Sequence, residues 1–521
     1  MITASWVAQS VLRINTDTAY YKWLVAGTVL LGAATQTFAG NSINLAIPHI
    51  MAAFGADLAT AQWVATSFLI ARTLTVPLLG WLGGFLGHRH LFVATMVGFV
   101  LTSIGCGLAV DIHMLILCRL VQGLVLGPLE GLTAVLMVNA FPPQQRGMAI
   151  GLRSIGSSAG QIVSFTLGGY CLEQLSWRMM FFLGIPSAIV AALLGVFLLP
   201  QERADRGVPV DYAGLLALAT FLVPFLLGIS LARHDDTAMS TLLMLSLTAL
   251  GGAVLFSLRE ILAQFPAVNL RLFGLPAFRW LCCTAFLDTL GLFGAQFMIP
   301  IFLQQVMGYT ALQAGLIIVP ALLVSAVGDP VVGRLSDVVS PRLLMLLALA
   351  LLTGVFQLFS TVSALTTSGV LIGYILLYRV CMFSIQTPVT ALNVHILGPD
   401  QIRMGQGLLG TVRNIAAALG VTVSSVIFER RRTSHQLLSY IAYNVTSPEH
   451  RPVVREVERL LSDSGVAETD IPVMTLRALR QQIDIEAVAA GFRDSFFAIS
   501  FCFLLAMLPL FCIPALRTRQ R

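Results

Sequence analysis

Residues 80–89 read GWLGGFLGHR, and residues 333–342 read GRLSDVVSPR. Each stretch begins with glycine, ends with arginine nine positions later, and follows a long apolar run. Two further pairs occur in the same order. RLVQGLVLGP (119–128) matches RVCMFSIQTP (379–388), and RSIGSSAG (153–160) matches RNIAAALG (413–420). From Gly80 to Gly333, Arg119 to Arg379 and Arg153 to Arg413, the offsets are 253, 260 and 260 residues. Three landmarks in one order mean that a unit of about half the chain occurs twice.

The solvent of that unit follows from composition. Of 521 residues, 57% are hydrophobic and 11% charged, where a soluble chain carries roughly a quarter charged. Mean hydropathy is +0.86, so the bilayer is the solvent. The net charge of +6 comes from arginine, Lys22 being the only lysine. No lysine-rich tract or zinc-finger spacing occurs, which argues against a nucleic-acid partner. The eight cysteines lie in or beside apolar runs and read as small hydrophobes, not as a disulfide framework. The first apolar run lacks an A-x-A cleavage site and reads as a retained span.

A span needs about 20 apolar residues. Fourteen stretches qualify, at 23–48, 62–83, 91–110, 113–138, 148–171, 179–199, 211–232, 240–261, 277–303, 312–333, 342–362, 368–393, 408–428 and 493–515. The first, ninth and tenth are interrupted by polar residues or proline. Arginine placement orients them. With the N-terminus inside, the inner connections hold Arg89, Arg146, Arg203, Arg206, Arg259, Arg271, Arg342 and Arg403. The short outer connections hold little beyond Asp57, Asp111, Glu173 with Arg178, and Arg233 with Asp235 and Asp236. Both termini are therefore expected to be cytoplasmic. One outer segment, 429–492, is long and polar. Val453, Val457, Leu460 and Leu461 share one helical face, as do Leu476, Leu479 and Ile483. It is either a helical cap or a docking surface.

The expected fold is all-α and polytopic. Residues 1–200 form one six-helix half, 201–275 two inserted transmembrane helices with linkers, and 276–521 a second six-helix half that includes the 429–492 loop. Parallel halves with a site between them describe a transporter. No H-E-x-x-H zinc helix or G-x-S-x-G nucleophile elbow is present, so an enzyme is not expected.

Further motifs add to this: NLAIPHI (44–50), QWVATSFLIA (62–71), PPQQRGMAIGL (142–152), LGGY (167–170), SWRMMFFLGIP (176–186), VDYAGL (210–215) and LQQVMGYTALQAGL (303–316). With these, the sequence resembles the major facilitator superfamily, in its fourteen-span drug:proton antiporter branch, and there the EmrB-like multidrug exporters. The resemblance covers nearly the whole chain. It implies export of amphipathic small molecules across a bacterial inner membrane by proton antiport. It implies no cofactor beyond the proton gradient. It also allows a periplasmic adaptor and an outer-membrane channel as partners. A dedicated exporter of one metabolite, such as a siderophore, and an uncoupled or non-transporting member remain as alternatives.

The resemblance assigns expectations to residues. In the family loop after the second span, an acid pairs with arginine and latches one conformation. Here Gly84 takes the acid's place, while Gly80 and Arg89 remain. The second copy keeps Gly333, Asp337 and Arg342. Arg119, Gln122 and Gly123 match the family's R-x-x-Q-G, whose arginine supports proton coupling, and Arg379 matches by symmetry. Two departures weaken the coupling expectation. Ala39 stands where the first span of that branch commonly carries an acid. The fifth-span motif reads SFTLGG, with Ser164 and Phe165 replacing glycine and proline and with Gly168 and Gly169 kept.

Ionisable residues inside a bilayer default to functional hypotheses. Asp288, Glu130 and Asp329 are the candidate proton carriers, with Arg119 in support and Arg72 as a counter-ion. Salt-bridge glue between helices is the alternative for each. Gln36, Asn41, Asn44, Phe68, Arg72, Gln161, Phe293 and Gln296 are candidate cavity liners, because mixed aromatic and amide surfaces suit amphipathic solutes.

Overall fold

The computed structural model describes residues 20–142, 146–200, 211–231, 238–263, 270–362, 366–397, 402–442 and 471–513, with positions 456, 459 and 462. Side chains of a few residues within these helices lie outside the described set. Fourteen long helical segments follow one another among the described residues. They are α1 Tyr21–Phe54; α2 Leu58–Thr75, continued through Val76–Leu78 to Leu79–Leu86; α3 His88–Gly107; α4 Ile112–Leu126 with Leu129–Ala140; and α5 Arg146–Gln174. Then come α6 Met179–Leu183 with Ile185–Leu198, α7 Tyr212–Leu231, α8 Met239–Leu262, α9 Pro276–Gln305 and α10 Ala311–Val338. The last are α11 Pro341–Phe359, α12 Ser368–Ile396, α13 Ile402–Ala442 and α14 Ile471–Cys512. In lipid a backbone must satisfy its own polar groups, which makes the helix the only open-chain solution.

Every expected span coincides with a helix. Among the described residues, eleven are long and apolar enough to cross a membrane. Among the described residues α2 and α5 fall short of that apolar character, while α10 is apolar over its described stretch Ala311–Ser325. The interrupted α1 and α9 qualify. Helices α2 and α5 share a position. Helix α2 packs along α13 and α5 along α10, so each has a partner helix across the seam between the halves.

The duplication is visible in the packing. Within the first six helices the main partners are α1 with α5, α2 with α4, α3 with α6, and α3 with α4. Within the last six the corresponding pairs also pack, α9 with α13, α10 with α12, α11 with α14, and α11 with α12, while α14 packs in addition on α9 and α13. The corresponding pairs are the same, shifted by eight. The third repeat landmark explains one of them. A Cβ on Gly160 would lie 2.2 Å from the Ala34 carbonyl oxygen, and one on Gly420 would lie 2.2 Å from that of Leu290. Small residues at such crossings let helix backbones touch, which drives association where lipid is as apolar as the side chains. The inserted α7 and α8 pack on each other, and α7 leans on α2 and α13. Only 11% of the apolar window of α8 is buried, so it belongs against lipid.

The first landmark has the same task in both halves. The Arg89 guanidinium donates to the Val196 carbonyl at the end of α6. Arg342 donates to Ile513 O at 2.8 Å and Phe511 O at 3.2 Å, at the end of α14. Each arginine thus satisfies carbonyls that a helix terminus leaves unpaired, and its charge suits the negative end of the helix dipole. Gly87, at φ 78°, makes the turn that brings Arg89 there. At the opposite end, Asp57 and Asp111 accept from the Thr60 and Met114 amides at 2.9 and 2.8 Å, so these lone acids of the short connections are N-caps. Asp337 and Gly333, like Gly80, lie on helical backbone, but their side-chain environments are outside the described residues.

The described parts of the 429–492 segment are helical. Helix α13 runs on to Ala442 and α14 already begins at Ile471. At 1.5 Å per residue, each is about 60 Å long, twice the ~30 Å hydrocarbon core. The TLRALRQQIDIE stretch is therefore the start of the last helix, with Ile483 buried. The face at 453–461 lies outside the described residues. The projecting helices are tied by His435 to Asp494 at 2.9 Å, Gln436 to Asp484 at 2.7 Å, and Phe428 against Phe492 at 4.4 Å.

Candidate functional site

The seam between the halves is where polar side chains meet. Near the end capped by Asp57, Gln296 on α9 donates to Asn41 on α1. Gln304 donates to Leu45 O at 3.1 Å. Arg379 on α12 donates to Gln161 on α5 at 3.0 Å. Farther toward the arginine-rich end, Arg72 on α2 donates to Asn414 on α13 at 2.8 Å. Beside the Gln296 and Arg379 ties lies a small half-open cavity of about 20 Å³, lined by Gln296, Tyr378, Arg379 and apolar residues including Phe165 and Ile318. That holds roughly one water, so the halves lie close together at this level. Gly169 and Gly315 make this approach possible. Their Cβ positions would fall 2.8 Å from Leu312 Cα and 2.0 Å from Phe165 O. Gly168 faces Met180 of its own half instead.

Arg119 is buried about 10 Å along α4, yet no carboxylate pairs with it among the described residues. Its Nε donates to Val64 O at 3.0 Å, and Nη1 to Ala39 O at 3.0 Å and to Gln122 Oε1 at 2.6 Å. Gln122 passes the chain on to Ser103 at 2.9 Å. The guanidinium stacks 4.3 Å over the Phe68 ring. Phe68 is thus packed beneath Arg119 rather than open to a cavity. Gly123 admits this arrangement, since its Cβ would lie 2.4 Å from Phe68 O. At the first-span position where the family acid is missing, Ala39 offers its backbone carbonyl. Arg119 and its symmetry mate have therefore diverged: one is held inside its own half, the other reaches across the seam.

A second cluster holds the acids. Glu130, with its side chain 42% exposed, lies 3.8 Å from Arg72. Asp288 is fully buried and accepts from Gln386 on α12 at 3.3 Å. Arg413 on α13 is within electrostatic reach of both Asp288 and Glu130. Burying a charge at membrane depth costs about 3 kcal/mol or more, and here opposite charges from both halves offset that cost. Asp329 lies on α10 with its side chain outside the described residues. Gln36 and Asn44 are buried, Gln36 Nε2 with no hydrogen-bond partner among the described residues. Phe293 is half-buried.

The expected liners Asn41, Gln161 and Gln296 come together at the seam. Asp288, Glu130 and Arg72 come together in the charge cluster. Arg413, Asn414, Gln386 and Tyr378 were not among the expected site residues. Their sequence signal was the repeat itself: RNIAAALG contains Arg413 and Asn414, and RVCMFSIQTP contains Gln386.

A family model described as Major Facilitator Superfamily matches residues 29–421. The chain belongs to the major facilitator superfamily. It is a multi-pass membrane transporter of small molecules, not an enzyme. Among its relatives, the Multidrug export protein EmrB of Haemophilus influenzae is 27% identical over 492 residues, covering 92% of this chain and 94% of that one. EmrB of Escherichia coli K12 is 27% identical over 449 residues, covering 84% and 86%. The Fatty acid resistance protein FarB of Neisseria gonorrhoeae is 27% identical over 463 residues, covering 88% and 90%. In fold the chain is similar to a bacterial homolog of the human lysosomal transporter Spinster, in an inward-facing and unoccupied conformation. The TM-score is 0.62 at 17% identity, covering 95% and 97% of the two chains.

Proposed function

We propose that this transporter exports amphipathic small molecules across the bacterial inner membrane by proton antiport with alternating access, both termini being cytoplasmic. The observation that carries the reading is Asp288, a buried carboxylate beside the seam of a chain similar to multidrug export proteins. A buried carboxylate can take up and release a proton as its access and partners change. The projecting ends of α13 and α14 are where a periplasmic adaptor would dock, leading to an outer-membrane channel.

The test is purified protein in liposomes, with ethidium as probe and an imposed pH gradient. Ethidium should move against its own gradient only when protons run the other way. Movement indifferent to the pH gradient would overturn proton coupling.

A second reading, an uncoupled family member, is favoured by one observation: Arg119 contacts only carbonyl oxygens, Gln122 and the Phe68 ring. Proton release on adding ethidium separates the two readings, since only the antiporter produces it. A chain that moves protons with no ethidium but with one class of metabolite would instead be a dedicated exporter.

A further inference from the structure

Arg413 is the second-half counterpart of Arg153, and the duplication alone gives neither a task. In the structure Arg413 lies within electrostatic reach of two carboxylates that belong to different halves. Asp288 is in its own half, on α9, and Glu130 is across the seam, on α4. Its Nε and Nη2 are buried with no hydrogen-bond partner among the described residues. Charge therefore holds it, not a fixed bidentate bond. The next residue, Asn414, is bound by Arg72 across the seam at 2.8 Å, and Arg72 lies 3.8 Å from Glu130.

We infer that Arg413 is a cation shared between the halves, balancing Asp288 when that carboxylate is ionised and turning to Glu130 when Asp288 takes up a proton. This rests on the antiport reading and adds its coupling device. Among the described residues two guanidiniums, Arg72 and Arg413, face two carboxylates. A proton on Asp288 leaves Glu130 as the remaining anion, and Arg413 then bonds across the seam and favours closure there. Loss of that proton returns Arg413 to its own half and loosens the seam. The other groups facing this pair are Gln386 and Tyr378 of α12 beside Asp288, and Cys282 of α9 beside Arg413. Helices α7 and α14, which also pack on α13, bring no charged side chain against Arg413 among the described residues. Arg413 acts through the acids and is a positioning residue.

The test measures the distance between spin labels at His90 and Leu343, one in each half at the arginine-rich end, as pH is lowered in liposomes. The unsubstituted chain should show shorter distances in acid. Arg413→Gln should abolish that shift and cut gradient-driven ethidium efflux about tenfold, while Arg413→Lys restores both in part. Asp288→Asn should hold the acid-side distances at every pH. Glu130→Gln, at a half-exposed position, should also remove the shift, and it carries the test if Arg413→Gln fails to fold. A normal pH-dependent shift in Arg413→Gln or in Glu130→Gln overturns the inference. An unsubstituted chain that moves no ethidium with a pH gradient overturns the antiport reading instead.

Discussion

Arg72 donates to Asn414 at 2.8 Å, and that bond joins the two halves near the acids. Both residues sit on helices that pack along the seam, α2 and α13, so the bond reports on how close the halves are. Asn414 is buried. A hydrogen bond to a charged group is worth roughly 1.5–3 kcal/mol. We expect Asn414→Ala to weaken the closed arrangement by about that amount, and a double-mutant cycle with Arg72→Ala to show coupling of about 1 kcal/mol. Strictly additive effects on closure, read by cross-seam label distances, would mean the bond does not hold the seam.

Asp288→Asn keeps volume and hydrogen bonding to Gln386 but removes the titrating group. Expression and thermal stability should stay near those of the unsubstituted chain, while ethidium efflux no longer responds to a pH gradient. Unchanged efflux would move the coupling role to Glu130, and Glu130→Gln would then carry the loss.

Arg119 has a different expected signature. Its three hydrogen-bond acceptors and the Phe68 ring make it a strut between α1, α2 and α4. Arg119→Ala should lower stability by a few kcal/mol, since unsatisfied buried groups cost about 1–3 kcal/mol each. In Arg119→Lys the pH profile of efflux should keep its shape. A displaced profile in that variant would place Arg119 on the proton path.

Gly160 and Gly420 make equivalent backbone contacts in the two halves. Adding a methyl group at either should cost about 1–3 kcal/mol or more, as overpacking does. Thermal unfolding in detergent checks both Gly160→Ala and Gly420→Ala, and the symmetry requires comparable losses. A tolerated substitution at one site alone would show that the repeat in sequence is not a repeat in packing.

Arg89 and Arg342 cap the final helix of each half. Removing either charge should cost on the order of 1 kcal/mol, with gradient-driven efflux retained per folded molecule. Loss of efflux in stably folded Arg342→Ala, but not in Arg89→Ala, would instead support a latch that acts in the second half only.

The sequence by itself determined the lipid environment, the helical class, the duplication and the family. Each of these is written along the chain, as hydropathy, spacing and order, and needs no knowledge of which helix touches which. It also singled out Asp288, Glu130 and Arg72, because charge inside an apolar run is visible without a fold. Only the tertiary structure decided what those charges face. Glu130 and Asp288 are 158 positions apart, and Arg413 lies 125 beyond Asp288, so helix packing alone brings them to one cluster. The same holds for Phe68, which an aromatic pattern marks as a cavity liner and which Arg119 covers. The lower apolar character of α2 and α5 has a related reason: a helix that faces another half can carry polar groups that lipid would exclude.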